Sequence, residues 1–241
     1  MRAALLATVL VLLALALAAP AGAGAASVEL MVVGKTRVLR EAAPVKLRAR
    51  SVRVGGHRCA VGRATPLSAL AGTRLALRLR DYGSCGGSPA DAGSLYVRKV
   101  GPDRAGGPRG WVYKVGNRAG TTGAADPSGP FGTGRRLRGG RLLWFWCMQD
   151  RTGGCQRTLD ARPEASTVAA GAPLRVSVRG YDDNGRGVPV AGALVRAGGA
   201  QALTGADGVA TVTVPAVSAA VRVTAERDGM VRSFPVRVAV A

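Results

Sequence analysis

Apolar residues recur at every second position in several short stretches between residues 26 and 159, and this period of two predicts β-strands. One short helix is predicted over residues 65–72, where Thr65 can cap the start, Pro66 fits the first turn and Gly72 fits the end. Mostly strands with one helix indicate a small α+β domain with a grasp-like sheet. The predicted strands cover residues 28–32, 45–47, 52–54, 75–79, 95–100, 111–115 and 142–147.

The alternation becomes more regular after residue 160, and glycine-containing turns separate the apolar stretches. About seven short strands in about 80 residues are typical of an immunoglobulin-like β-sandwich. Residues 161–164 are interpreted as a linker before it. The sequence therefore predicts a mostly β chain with a first domain over 26–159 and a second over 160–241. The clearest strands of the second domain cover residues 174–178, 210–214, 221–224 and 236–240.

The aromatic residues are few, at 4% of the chain, and all three tryptophans lie between residues 110 and 147. Successive residues of a strand point to opposite faces, so Trp144 and Trp146 share one face of their strand. If that face is exposed, it is a platform on which a ligand can stack; if it is buried, it is the core of the domain. The candidates for ligand binding are Trp111, Tyr113, Trp144 and Trp146.

These residues carry a resemblance to a known family. The helix at 65–71, the motif Gly110-Trp111-x-Tyr113-x-Val115 and the run Arg138-Gly139-Gly140 before an aromatic strand resemble the transcobalamin-like C-terminal domain family over residues 28–147. The resemblance implies a secreted or surface-exposed bacterial protein. The family commonly has Val-Asn-Gly after the tyrosine, whereas this chain has Val115-Gly116-Asn117. Cobalamin binding does not follow from the resemblance, because in the animal carriers a larger helical domain supplies the other half of the site.

A second resemblance lies in the C-terminal part. The segments 188–193 and 204–210 are similar to bacterial immunoglobulin-like and carboxypeptidase-regulatory-like modules, which implies a spacer, stalk or adhesion unit. Asp182, Asp183 and Asn184 could be interpreted as calcium ligands. Their spacing lacks the alternating acidic pattern and the distal glutamate of a calcium loop. Asx residues before glycine are ordinary turn chemistry, so we expect a turn there.

The first residues predict export. Met1 and Arg2 precede an apolar run over 3–19, and Pro20 and small residues up to position 25 follow it. This pattern is typical of a cleaved signal peptide over residues 1–25. The alternative is a membrane anchor, but the run is shorter than the roughly 20 residues that a spanning helix needs. We expect a secreted or cell-envelope protein with no transmembrane segment after signal cleavage.

The charge is strongly positive: 34 lysine and arginine residues against 14 acidic ones give a net charge of +20. Such a balance favours acidic partners. The alternative is a general bias towards arginine, because the basic residues are spread along the chain. Arg74, Arg78 and Arg80 give one predicted strand a basic outer face, which could hold an anionic polymer of the cell envelope. We expect no nucleic-acid partner.

Four cysteines in an exported protein favour two disulfides. Three pairings are possible, and proximity in sequence alone favours Cys59–Cys85 with Cys147–Cys155. The alternative is a zinc site, but no Cys-x-x-Cys pair is present and His57 is the only histidine. We therefore expect neither a metal nor a cofactor.

Catalytic motifs are absent from the sequence. Any histidine-dependent site would need His57, and no Gly-x-Ser-x-Gly turn, phosphate loop or His-Glu-x-x-His helix occurs. The sequence predicts a non-catalytic exported protein whose first domain binds an unknown extracellular ligand or envelope component and whose sandwich presents it. The alternatives are a structural protein held by anionic polymers, a cobalamin binder and a hydrolase.

Overall fold

The protein is described by a computed structural model that covers residues 26–149, 153–216 and 219–241. The predicted signal peptide over 1–25 lies outside the described residues. The fold is mostly β, as predicted, with short helices at Pro66–Ala71 and Pro89–Ser94. The first is an α-helix, α1, and the second is a 3-10 helix.

Within the described residues, the N-terminal part forms ten strands, and each of the seven stretches predicted there overlaps one of them. The sequence did not reveal the short strands around residues 57–61, 103–104 and 118–119. The ten strands are β1 Ser27–Val33, β2 Val38–Lys46, β3 Arg50–Val54, β4 His57–Val61, β5 Leu77–Asp81, β6 Leu95–Val100, β7 Asp103–Arg104, β8 Gly110–Val115, β9 Arg118–Ala119 and β10 Arg141–Cys147.

A five-stranded sheet in the order β2-β1-β10-β8-β9 is the centre of this part, with β1 and β10 parallel. One face of the sheet carries Leu30, Leu142 and Trp144, all at most 1% exposed. Helix α1, the β3–β4 hairpin and the small sheet β5-β6-β7 contribute to the same apolar cluster and cover this face. The indole Nε1 of Trp144 donates a hydrogen bond to the Pro66 carbonyl (3.3 Å), which joins the sheet to α1.

Helix α1 begins and ends where its sequence predicts. The Thr65 hydroxyl accepts a hydrogen bond from the Ser68 N–H, and the Ser68 hydroxyl accepts one from the Thr65 N–H. This reciprocal capping satisfies two donors of the first turn. Pro66 occupies the first turn and Gly72 caps the end.

The C-terminal part forms two facing sheets, in keeping with the predicted β-sandwich. One sheet has the order β11-β13-β14, with β17 also paired to β13, and the other has the order β12-β19-β18-β15-β16. Residues of both sheets meet in one core, where Val176, Val195 and Val223 are fully buried. The nine strands are β11 Thr158–Pro163, β12 Thr167–Val168, β13 Pro173–Tyr181, β14 Gly187–Pro189, β15 Leu194–Ala197, β16 Ala200–Leu203, β17 Val209–Thr213, β18 Ala220–Glu226 and β19 Val236–Val240.

The predicted linker over residues 161–164 is wrong. Ala161, Arg162 and Pro163 belong to β11, which pairs with β13 along its whole length, and Ala161 is buried. The strand already begins at Thr158, within the segment that the sequence assigned to the first domain. Its acidic residue Asp160 is 8% exposed because Arg141 and Arg162 form ion pairs with it.

The second face of the five-stranded sheet packs against the sandwich. Met31, Leu143 and Phe145 form an apolar cluster with Val231 and Phe234, which lie between β18 and β19. We call this contact the junction. Both faces of the sheet are therefore buried, each by a different part of the chain.

Candidate functional site

The four aromatic candidates are buried, each at most 6% exposed. As predicted, Trp144 and Trp146 share a face, but that face is core. The polar groups of two of these rings form hydrogen bonds within the protein. The Trp111 Nε1 donates to the Asp103 carbonyl (3.1 Å), and the Tyr113 hydroxyl donates to the Thr122 carbonyl (2.9 Å). The exposed stacking platform is therefore not formed, because α1 and the neighbouring sheet cover these rings.

A small apolar cavity of about 210 Å³ lies between β6 and β8. Trp111, Tyr113 and Trp144 of the central sheet line it, together with Tyr96 of β6. Pockets for small-molecule ligands usually measure about 300–1,000 Å³. This cavity is smaller, so the aromatic candidates line a packing gap rather than a ligand pocket.

Cationic side chains form a row across the sheet β5-β6-β7. Arg78 of β5 stands directly opposite Lys99 of β6, and Lys99 stands directly opposite Arg104 of β7. Adjacent strands are about 4.8 Å apart, so the row presents positive charges at short, regular intervals. Arg80 lies two residues further along β5 on the same outer face. We call Arg78, Arg80, Lys99 and Arg104 the basic face.

Two tyrosines are exposed beside the basic face. Tyr82 is 63% exposed and Tyr96 is 36% exposed, and their rings meet edge to face at 6.1 Å between centroids. The Arg80 guanidinium carbon lies 4.6 Å from the centre of the Tyr82 ring, within cation–π distance. The other large apolar side chains exposed in the described residues are Met148, Val188 and Leu203, none of them aromatic.

The cations of the basic face lack acidic partners. Within the described residues, none of the four forms an ion pair with a carboxylate, although seven such pairs are present elsewhere. The nearby Asp81 points its carboxylate to the N–H groups of Gly83 (2.9 Å) and Cys85 (2.7 Å). These bonds, led by the one from Cys85, lower the pKa of Asp81. Like charges placed opposite one another destabilise a sheet, so the row carries a cost that an anionic ligand would relieve.

The structure brings together two of the three arginines singled out in the sequence. Arg78 and Arg80 belong to β5, whereas Arg74 precedes the strand and has a positive φ of 64°. Lys99 and Arg104 join the face from neighbouring strands. The alternation within one strand indicated Arg78 and Arg80, but only the register between strands reveals the row.

The disulfides are those predicted, Cys59–Cys85 and Cys147–Cys155. The His57 Nε2 lies 3.6 Å from the Cys85 sulfur, so one imidazole and two sulfurs lie within 4.8 Å of one another. Zinc binds thiolates, and these two sulfurs are instead bonded to each other. The geometry is that of a disulfide beside an exposed histidine.

The acidic turn after β13 contacts a lysine of the first part. Lys114 of β8 is fully buried, and its ammonium donates hydrogen bonds to the carbonyls of Tyr181 (3.1 Å) and Asp182 (2.9 Å) and to the Thr158 hydroxyl (3.3 Å). Its Nζ also lies 3.4 Å from a carboxylate oxygen of Asp183. Of the residues considered as calcium ligands, Asp183 faces the ammonium, while the Asp182 carboxylate accepts from the N–H groups of Asn184 (3.0 Å) and Arg186 (2.8 Å), as in the expected turn.

A cleft of about 640 Å³ lies beside the junction, in the volume range of ligand pockets. Its walls carry both signs of charge, among them Lys35, Arg37, Glu226, Arg227 and Asp228. Glu226 and Asp228 offset part of the positive charge of this cleft, whereas no carboxylate of the described residues pairs with the cations of the basic face.

Comparison with family models and with curated protein sequences finds no match to this chain. The resemblances to transcobalamin-like C-terminal domains and to immunoglobulin-like modules stay predictions. Among the described residues, no helix has the length and apolar character needed to cross a membrane.

Proposed function

We propose that this is an exported, non-catalytic binding protein of the cell envelope that holds an anionic polymer on the basic face. The observation that supports it is the row Arg78–Lys99–Arg104, in register across three strands and without acidic partners among the described residues. A polymer with a charge on every repeat matches such a row better than a single small anion does. The two disulfides are compatible with an oxidising location outside the cell.

The tyrosines give the basic face a second kind of contact. Exposed aromatic rings beside cations can pack against the uncharged part of a polymer, such as a sugar or polyol unit, while the cations contact its charged groups. Tyr82 and Tyr96 are close enough to the cations for one polymer to contact both, since Arg80 lies over the Tyr82 ring. The proposed ligand therefore alternates anionic and uncharged units.

Other directly opposed arginines supply the control for this proposal. Arg53 faces Arg58 in the β3–β4 hairpin, and Arg222 faces Arg237 in the sandwich. All four are exposed, but each set is a pair rather than a row of three, and the exposed tyrosines do not lie there. A variant at these four positions removes as much charge as a variant of the basic face.

The test measures retention of the full chain on immobilised poly(glycerol phosphate) as the salt concentration rises. Replacing Arg78, Arg80, Lys99 and Arg104 by glutamine should abolish most of the retention and flatten its salt dependence. The logarithmic slope should fall by about 0.7 for each phosphate group that the variant no longer neutralises, as for single-stranded nucleic acids. The control variant with glutamine at positions 53, 58, 222 and 237 should keep the wild-type slope. Equal reductions in the two variants, or retention that does not change with salt, would refute the proposal.

A further inference from the structure

Four other cations surround a pocket at the edge of the five-stranded sheet. Arg40 and Lys46 come from β2, Arg48 follows β2, and Arg50 begins β3. Gly72, at the end of α1, forms part of the wall, and the pocket encloses about 300 Å³. We call it the anion pocket. Its wall includes no acidic residue, which distinguishes it from the cleft beside the junction.

The charge of the anion pocket is not compensated within the protein. None of the four cations forms an ion pair with a carboxylate of the described residues. The Nε atoms of Arg40 and Arg50 are buried and have no hydrogen-bond acceptor in the part of the chain that the structure describes. Because solvent does not reach these two Nε atoms, an anion in the pocket would meet the terminal Nη atoms of the two guanidinium groups instead.

Gly72 gives Arg50 its place in the pocket. A Cβ at position 72 would come within 2.9 Å of an Nη atom of Arg50 and within 3.1 Å of a Val45 methyl group. The backbone of Gly72 has an ordinary helical conformation, so the glycine is not needed for its φ. Its missing side chain is what leaves room for the guanidinium.

We infer that the anion pocket binds a tetrahedral oxyanion of the phosphate type. Guanidinium groups present two parallel N–H donors that match the oxygens of a phosphate, and Lys46 adds a point charge. A phosphate group offers three acceptor oxygens and carries a charge of about −1.5 to −2 near pH 7, so it can accept from several of these side chains at once. A planar carboxylate offers only two oxygens and one negative charge.

The site goes beyond the polymer proposal, because one phosphate can bind here without the basic face. The phosphate can be inorganic phosphate from solution or the terminal phosphomonoester of a polymer, since both keep at least three unesterified oxygens and a charge of about −1.5 to −2, whereas an internal phosphodiester has two free oxygens and one charge. The experiment therefore has one arm with inorganic phosphate and one with poly(glycerol phosphate).

The first arm titrates inorganic phosphate into the full chain by calorimetry at constant ionic strength, with acetate as the comparison anion. We expect saturable binding of phosphate by the wild type and by Arg53→Gln/Arg58→Gln, which removes two exposed charges elsewhere. Arg40→Gln/Arg50→Gln should weaken this binding by about tenfold or more, since it removes two charge-assisted hydrogen-bonding groups. Acetate should give no saturable heat.

If Arg40→Gln/Arg50→Gln fails to fold, Arg48→Gln replaces it, because Arg48 is exposed at the rim. This variant should weaken phosphate binding by about threefold or more, in keeping with one weaker interaction. The inference is overturned if phosphate gives no saturable heat, or if the pocket variants bind it as tightly as Arg53→Gln/Arg58→Gln.

The second arm identifies the source of the phosphate. If retention on poly(glycerol phosphate) falls more in the pocket variants than in the hairpin control, the pocket takes the phosphate of the polymer. If retention is equal while phosphate binding is abolished, the pocket takes free phosphate. A fall in polymer retention only in the variant of the basic face would leave both proposals standing as separate sites.

Discussion

Lys114 is the residue whose environment departs furthest from that of an ordinary strand lysine. It is fully buried, yet its ammonium has acceptors from the turn after β13 and from β11. A buried charge with partners is a weak source of stability, but removing one member leaves the others unsatisfied. Lys114 therefore holds the sandwich in place on the first sheet.

Lys114→Met should destabilise the protein by on the order of 3 kcal/mol, because the buried Tyr181 carbonyl and the partly buried Asp182 carbonyl lose their donor. The Asp183 Oδ1 that faces the ammonium is buried and loses its cation as well, while its Oδ2 keeps the Cys155 N–H (2.9 Å). Lys99→Met changes a lysine of the basic face and should cost less than about 0.5 kcal/mol. Urea unfolding of the two variants measures the difference, and equal effects would show that Lys114 does not hold the junction.

Lys114 also predicts a pH dependence. Burial lowers the pKa of its ammonium below the ordinary 10.5, and the attraction of Asp183 only partly opposes this. Between the lowered pKa and 10.5 the unfolded chain holds more protons than the folded one, so the free energy of unfolding rises with pH in that window. The difference in this free energy between wild type and Lys114→Met should increase with pH there and stay constant near neutrality. If the difference in free energy of unfolding between the two proteins stays constant up to pH 10.5, the lowered pKa of Lys114 is contradicted.

Single residues were predicted from the sequence where their partners are near in the chain. Thr65, Pro66 and Gly72 lie within one short helix and its caps, and their capping roles are confirmed. The hydrogen-bond partners of Lys114 are Tyr181 and Asp182, which are 67 and 68 positions away in the sequence. The pattern of its own strand therefore did not predict a buried ammonium. The anion pocket was missed for the same reason, because Arg40 and Gly72 meet only after β2 and α1 have packed.

The alternation of residues in strand β10 predicts which side chains share a face, but not which part of the chain covers each face. The alternation predicted two faces, and the structure confirms them: Trp144 and Trp146 on one, Leu143 and Phe145 on the other. A strand with two apolar faces is typical of a sheet covered on both sides. The pattern did not say what covers each face, and so it left an exposed tryptophan platform open.

Trp144→Ala should therefore act on stability. Removing a ring that is 1% exposed leaves a cavity between the sheet and α1 and should cost about 3–5 kcal/mol. Tyr82→Ala removes an exposed ring and should cost under about 1 kcal/mol, but it should weaken retention on poly(glycerol phosphate). Unfolding curves and retention measured on both variants separate the roles. A folded Trp144→Ala protein of unchanged stability that loses polymer binding would restore the tryptophans as the ligand site.

Strand β11 escaped prediction because both of its faces are occupied. Leu159 and Ala161 point into the sandwich core, while Thr158 and Asp160 are buried through polar contacts with Lys114 and Arg141. A strand whose polar side is also buried lacks the simple contrast of an amphipathic pattern, and Pro163 with two charged residues made it look like a linker. Only the pairing with β13, seen in the structure, shows that these residues form a strand and not a linker.

The molecule as a whole is joined by three kinds of contact across the junction. Phe234 packs on Phe145, ion pairs join Arg141 to Asp160 (3.2 Å) and Arg232 to Glu41 (3.2 Å), and Lys114 donates hydrogen bonds to the carbonyls of Tyr181 and Asp182. The exposed ion pair between Arg232 and Glu41 adds little to stability by itself, whereas the apolar contact removes apolar surface of both parts from water. We infer that the two parts unfold together, although the alternation along the chain predicted two domains and gave no sign of their contact.

This cooperation can be tested because the three tryptophans all lie in the first part. Tryptophan fluorescence reports on that part, while far-ultraviolet circular dichroism reports on both. In the wild type the two unfolding curves should coincide, as expected for one cooperative unit. Phe234→Ala removes the ring of a residue that is 7% exposed and should separate the curves, since the sandwich then unfolds independently. Leu203→Ala, at a side chain 65% exposed, should leave them coincident; separate curves already in the wild type would mean that the junction transmits no stability.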